Sequence, residues 1–196
     1  MTSKIWMENT KSQKVNIVKI LRSGGVGIMP TDTIYGVVGQ ALNKKTVERI
    51  YTARKRMPSK PMIILISSVN DLRLFGIEKE KINLPWSPEG GPGMVDFWPG
   101  KTSIILPCPD EKFHYLHRGS NFLAFRLPAD APLRQFIYRT GPLVAPSANL
   151  EGLPPATTIE EAQNYFGDSV NFYIDGGKIA GKPSKLIKIE GDKIIE

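Results

Sequence analysis

Pro30-Thr31-Asp32-Thr33-Ile34-Tyr35-Gly36 follows directly on the short run Val26-Gly27-Ile28-Met29. An apolar run of that length, bounded by turn residues, reads as a strand buried on both faces, and Pro-Thr-Asp ends it in a turn. Two threonine hydroxyls, a carboxylate and a phenol are then presented close together at a strand end. Open α/β sheets hold their ligands at strand ends, so the segment is a fold signal and a candidate site at once. A plain polar turn between two strands has the same composition, and the heptapeptide alone does not separate the two readings.

On the N-terminal side, Val15, Ile17, Val18, Ile20 and Leu21 form a helical stripe, stopped by Gly24-Gly25. On the C-terminal side, Asn43 caps a second helix whose Val47, Ile50, Tyr51 and Arg54 share one face, and Pro58 is expected to end it. The run 62–66 reads as another buried strand. Ser68 with Asp71 makes a capping-box start for a short helix closed by Gly76. Residues 78–93, rich in proline and glycine, read as a long surface loop. Strands are expected at 103–106, 122–127, 143–145 and 170–174, and helices at 133–139 and, capped by Thr158 and Glu161, up to Gly167. A last hairpin turns at Gly191-Asp192. Helices and strands alternate early and strands dominate later, which predicts one α/β domain over 1–196 with a twisted mixed β-sheet flanked by helices.

The composition narrows the function classes. With 196 residues and 41% apolar content, the chain suffices for a single domain with a proper core. No run approaches a membrane span, and residues 1–13, polar and mixed in charge, read as a flexible start without a signal-peptide core. A cytoplasmic protein is the expectation. The single Cys108 excludes an internal disulfide, and His114 and His117 lack neighbours at zinc-ligand spacing. The net charge of +7 favours anionic partners such as nucleotides or RNA.

Two constellations could carry chemistry beside the first. Arg54, Arg56 and Lys60 follow the second helix, where cations suit the helix dipole. Arg54 lies on the inward face, and an inward arginine needs an anion or several acceptors; a triphosphate would serve. Lys55, one position on, should lie about 100° round the helix from Arg54. In Ala145-Pro146-Ser147-Ala148-Asn149, a hydroxyl and a carboxamide stand two residues apart at another strand end. They suit either a turn or a phosphate and base. No histidine is at hand to make a serine-hydrolase triad, and neither a Walker pattern nor a Gly-x-Gly-x-x-Gly fingerprint occurs.

Taken in order, these pieces resemble the YrdC-like family, the threonylcarbamoyl-adenylate synthases. The family's Pro-Thr-[Asp/Glu]-Thr-x-Tyr-Gly matches 30–36, its Lys-x-Arg is met by Arg54-Lys55-Arg56, and its Trp-Pro-Gly by Trp98-Pro99-Gly100. Arg126-Leu127-Pro128 and Pro146-Ser147-Ala148-Asn149-Leu150-x-Gly152 match two further elements, and Pro183-Ser184 stands where the late Pro-Ser-Thr usually does.

The resemblance implies an α/β fold with a deep basic cleft. It also implies an enzyme that converts ATP, L-threonine and bicarbonate, with Mg2+, into threonylcarbamoyl-AMP and pyrophosphate. A separate transferase complex would then modify tRNA. Thr33 would contact threonine, with Thr31 and Tyr35 shaping its pocket and Ser184 closing over it. Arg54 and Arg56 would hold phosphates, Lys60 would neighbour the nucleotide, and Ser147 with Asn149 would complete its site. Arg54 replaces the family's usual lysine, Ser103 a threonine after Trp-Pro-Gly, and Lys185 the threonine after Ser184. The chain stops at Glu196, where relatives often continue to an arginine, which reads as the short form. Two other readings remain: a carbamoyl-adenylate domain of hydrogenase-maturation type, whose cysteine-rich segments are missing here, and a non-enzymatic module binding tRNA or double-stranded RNA directly.

Overall fold

The computed structural model describes residues 11–78, 97–190 and 193–195. The first stripe forms helix α1, Lys11–Arg22. Gly24 ends it at φ +88°, with Gly25 N–H donating to Ile20 O at 2.9 Å and Gly24 N–H to Leu21 O at 3.0 Å. That pair of bonds is a Schellman ending, and it requires the left-handed residue that glycine supplies. Of the segment expected to be flexible, residues 11–13 belong to α1 and the rest lie outside the described residues. So does all of the 78–93 loop except Glu78.

β1, Val26–Pro30, is buried along its whole length, as a run without polar alternation requires. The turn at 31–34 returns the chain as β2, Tyr35–Gln40, antiparallel to β1. The sequence reading did not single out β2, because its two glycines weaken the strand pattern. Gly39 has a packing reason: a Cβ there would lie 2.4 Å from the Thr46 methyl, so its absence lets the next helix close on the sheet.

That helix, α2, is Lys44–Ala53, with the Asn43 side chain accepting from Thr46 N–H at 3.2 Å and with Val47, Ile50 and Tyr51 buried. It ends before Pro58. Arg54 is the C-cap and Lys55 takes φ +49°, while Arg56 N–H donates to Tyr51 O at 3.0 Å and Lys55 N–H to Thr52 O at 3.1 Å. A second Schellman ending therefore stops α2, and Lys55 lies off the helix rather than 100° round it.

The expected strand at 62–66 is regular only over β3, Ile64–Leu65. Asp71 starts a 3-10 helix, Val69–Phe75, by accepting from Ser68 N–H at 3.3 Å, and Gly76 closes it at φ +72°. Then follow β4 (Thr102–Pro107), the short α3 (His114–His117), β5 (Phe122–Arg126), α4 (Ala131–Thr140), β6 (Leu143–Val144), α5 (Ile159–Phe166), β7 (Phe172–Tyr173), β8 (Lys185–Glu190) and β9 (Lys193–Ile195). The last two strands pair antiparallel, as the predicted hairpin requires.

The strands join in one mixed sheet in the order β7-β1-β2-β6-β3-β5-β4-β8-β9. Three of the pairs are parallel (β1/β7, β3/β5, β4/β8) and the others antiparallel. On one face, Met29, Val38, Leu65 and Leu143 pack with Val18 and Leu21 of α1 and with Leu133, Phe136 and Ile137 of α4. On the other, Ile28, Val37, Ile64, Ile104 and Phe125 meet α2, α5 and the 3-10 helix through Ile50, Phe166 and Phe75. The predicted α/β architecture with a mixed sheet is thus the observed one.

Candidate active site

The site is built where three strand ends and two loops meet. In the β1–β2 turn, Thr31 N–H and Thr31 Oγ1 both donate to Ile34 O, at 3.0 and 2.7 Å, and Thr31 Oγ1 lies 3.1 Å from Thr33 Oγ1. The two hydroxyls are therefore held side by side. The turn is zipped to the Ser-Ala-Asn segment by backbone: Val37 N–H donates to Pro146 O and Ala148 N–H to Tyr35 O, both at 2.9 Å. Gly36 pairs with Ser147 in a single bridge.

Arg54 crosses to the same segment. Only 2% exposed, it donates through Nε to Asn149 O at 3.1 Å and through Nη2 to Asn149 Oδ1 at 2.7 Å and Ser147 Oγ at 3.3 Å. Ser147 Oγ itself donates to Asn149 Oδ1 at 2.7 Å. Asn149 Nδ2 is taken by Leu150 O and Leu153 O. The inward arginine has found several acceptors, but its Nη1 is buried with none. Burial, with Arg56 adding, lowers its pKa to about 10, so it stays charged at neutral pH.

Arg56 turns back onto its own loop, giving Nε to Lys60 O at 3.2 Å and Nη2 to Pro61 O at 3.1 Å. Lys60 reaches Glu151, whose carboxylate also accepts from Met57 N–H. Arg56 and Lys60 therefore adjoin the Arg54 cluster through Glu151, without bonding it themselves.

The late segment comes in from the other side. A Cβ on Gly181 would lie 2.0 Å from Thr33 O, so only glycine permits this approach to the turn. Ser184 lies 2.9 Å from the hydroxyl of the buried Ser103. Tyr35 is wholly buried and committed: its hydroxyl donates to Gly177 O at 2.8 Å and accepts from Gly176 N–H at 2.7 Å. It braces the 175–177 turn that leads into Gly181.

Burial, opposed by the Gly176 N–H, pushes the Tyr35 phenol up to about 12. A phenol raised in the fold contributes stability that is complete below its unfolded pKa of about 10 and is lost as pH rises toward the folded value. Tyr35→Phe, which leaves Gly176 N–H unpaired, is expected to cost about 1 kcal/mol at pH 7. The gap in urea midpoint between wild type and variant should close as pH climbs from 10 to about 12. A gap that stays constant across that range would mean the hydroxyl does not contribute in this way.

Sequence reasoning named Asp32 and Arg126 within motifs without giving them a role, and gave Glu151 none. Asp32 and Arg126, 6% and 3% exposed, pair at 3.0 Å, with Arg126 Nη2 also 3.5 Å from Thr31 Oγ1. Burial raises the Asp32 pKa against the pull of Arg126, and lowers that of Arg126 against the pull of Asp32. The signal was present: an arginine closing an apolar strand, and an acid inside the first motif. Glu151, which organises the 57–60 loop, carries no signal in the sequence. Arg126 leads into the Trp-Pro-Gly element, because Gly100 N–H donates to Leu127 O at 2.8 Å. The separate sequence elements thus form one connected patch.

Comparison with known proteins places the chain in a family. The Sua5/YciO/YrdC family model, described as "Telomere recombination", matches residues 19–195. The putative threonylcarbamoyl-AMP synthase of Methanocaldococcus jannaschii is 31% identical over 183 residues, covering 90% of this chain and 80% of that protein. The threonylcarbamoyl-AMP synthase of Bacillus subtilis is 34% identical over 161 residues, covering 81% of this chain but 44% of its own length. Among solved structures, Pyrococcus abyssi Sua5 complexed with L-threonine superposes with a TM-score of 0.75 at 27% identity, covering 92% of this chain and 52% of that one. The chain thus spans about half the length of the Bacillus and Pyrococcus proteins.

Proposed function

The chain belongs to the Sua5/YciO/YrdC family, and from that premise we propose that it is an L-threonylcarbamoyladenylate synthase acting in the cytoplasm. The observation that carries this reading is the buried Arg54 guanidinium, tied to Ser147 and Asn149 with Nη1 lacking an acceptor. A phosphate oxygen completes such a set.

In this reading the amine of L-threonine adds to carbon dioxide or bicarbonate, giving a carbamate. A carbamate oxygen attacks the α-phosphorus of ATP, the bond to the β-phosphate breaks, and pyrophosphate leaves. The paired hydroxyls of Thr31 and Thr33 face threonine, Ser184 closes on it, and Tyr35 sets the pocket wall by fixing the 175–177 turn. Arg54, Arg56 and Lys60 line the basic cleft against the phosphates, and Ser147 and Asn149 hold the nucleotide. Catalysis is by positioning and charge stabilisation. Among the described residues no three His, Cys, Asp or Glu side chains group to hold a metal ion; magnesium enters as the counter-ion that ATP brings, spreading phosphate charge. The product passes to a transferase complex that modifies tRNA, and the net charge of +7 favours direct contact with tRNA as well. Among the described residues no helix is long and apolar enough to cross a membrane.

The test is substrate dependence. Pyrophosphate release from ATP should require both L-threonine and bicarbonate. Equal turnover without threonine would leave a plain ATPase, and none at all would favour the RNA-binding reading.

A further inference from the structure

Glu151 holds the unspecified position between Leu150 and Gly152 in the Ser-Ala-Asn element and has no part in the proposed chemistry. Its carboxylate takes the Lys60 ammonium at 2.5 Å and the Met57 backbone N–H. Its own N–H donates to Arg54 O at 2.9 Å, which ties its backbone to the end of α2. Lys60 and Arg56 both favour its ionised form, and it in turn favours the charged form of Arg54. An ammonium and a backbone N–H meeting on one carboxylate are donors that a phosphate oxygen can also take. On the same stretch of chain, Arg54 Nη1 is buried and has no acceptor.

We propose that Glu151 is an internal counter-ion occupying an anion subsite formed by Lys60 Nζ and Met57 N–H, and that a phosphate of the nucleotide displaces it. The inference rests on the ATP-dependent reading above and adds the subsite and its resident competitor. Displacement has two consequences. The nucleotide must break the contacts of Glu151, and it must approach a negative charge that remains nearby. Both weaken ATP binding, and both vanish when the carboxylate becomes a neutral amide. An exposed ion pair of this kind is worth little, so the gain is modest, about two- to five-fold in affinity. A residue that merely held the loop in a productive shape would do the opposite on removal.

The experiment is calorimetric titration of ATP with magnesium, without threonine, into wild type, Glu151→Gln, Lys60→Ala and the double variant. Glu151→Gln should bind ATP about two- to five-fold more tightly than wild type at low salt, with the difference shrinking as salt rises. In the Lys60→Ala background the substitution should bring much less, because the shared donor is gone. Unchanged or weaker ATP binding by Glu151→Gln overturns the proposal, as does an equal gain in the Lys60→Ala background. If wild type binds ATP but releases no threonine-dependent pyrophosphate, the synthase reading falls while the titrations still decide the role of Glu151. A wild type that binds no ATP overturns both.

Discussion

Arg126→Ala is expected to destabilise the fold by about 3–5 kcal/mol, the usual consequence of leaving one member of a buried ion pair alone. For a domain of this size that is a fall in Tm of about 10 °C. Asp32 has no hydrogen-bond donor of good geometry, and its 3.0 Å ion pair with Arg126 is the main charge opposing its burial. Lys101 adds a smaller pull in the same direction, and Asp130 opposes it. Without the guanidinium, the Asp32 pKa moves further above its ordinary value. A carboxyl raised in the fold binds its proton more tightly there than in the unfolded chain. The penalty is therefore absent below the unfolded pKa of about 4 and grows as pH rises toward the folded value. Urea midpoints for wild type and Arg126→Ala should thus lie closer at pH 4 than at pH 7. A gap of the same size at both values would assign the loss to packing rather than to an orphaned charge. Replacing both partners, Asp32→Leu with Arg126→Met, should recover much of the stability, since an apolar pair of similar volume removes the need for compensation.

The same pair shows where sequence reading stops. Apolar runs, caps and glycine stops were legible because each is local: α1 ends at Gly24 and α2 begins at Asn43 for reasons contained within a few residues. β2 was passed over because Gly39 answers to Thr46 on another element, and no window of sequence contains that contact. The inward direction of Arg54 was legible from helical spacing, yet its acceptors, Ser147 and Asn149, lie over ninety residues away. Motif order brought these residues onto one list, and the sheet brings them into one place. Glu151 was invisible for a further reason. A glutamate after Asn149 and before a glycine looks like any solvated turn residue until the 57–60 loop folds onto it.

Arg54 is the residue at which the basic cluster divides into a built site and a solvated surface. Arg54→Ala should lower turnover by about 100- to 1,000-fold, the range for losing one preorganised donor at developing charge. The change removes the guanidinium from Asn149 O, Asn149 Oδ1 and Ser147 Oγ at one stroke. It also removes the buried Nη1 that lacks an acceptor, so the thermal stabilisation that ATP gives wild type should largely disappear. Arg54→Lys keeps the charge but loses the planar fork that meets Nε and Nη2 acceptors together. About one tenfold step, the value of a single charge-assisted bond, is its expected cost. Lys55→Ala should leave turnover near wild type, because Lys55 is exposed and stands off the helix in a left-handed conformation. Lys55→Gly, at that φ of +49°, should raise stability by about 1 kcal/mol, since glycine adopts the conformation without strain. Alanine at Arg54, Lys55 and Arg56 producing equal, mild losses that fade together at high salt would contradict this division. The cluster would then act as a diffuse field, because screening removes long-range attraction from exposed charges and leaves buried, bonded ones largely intact.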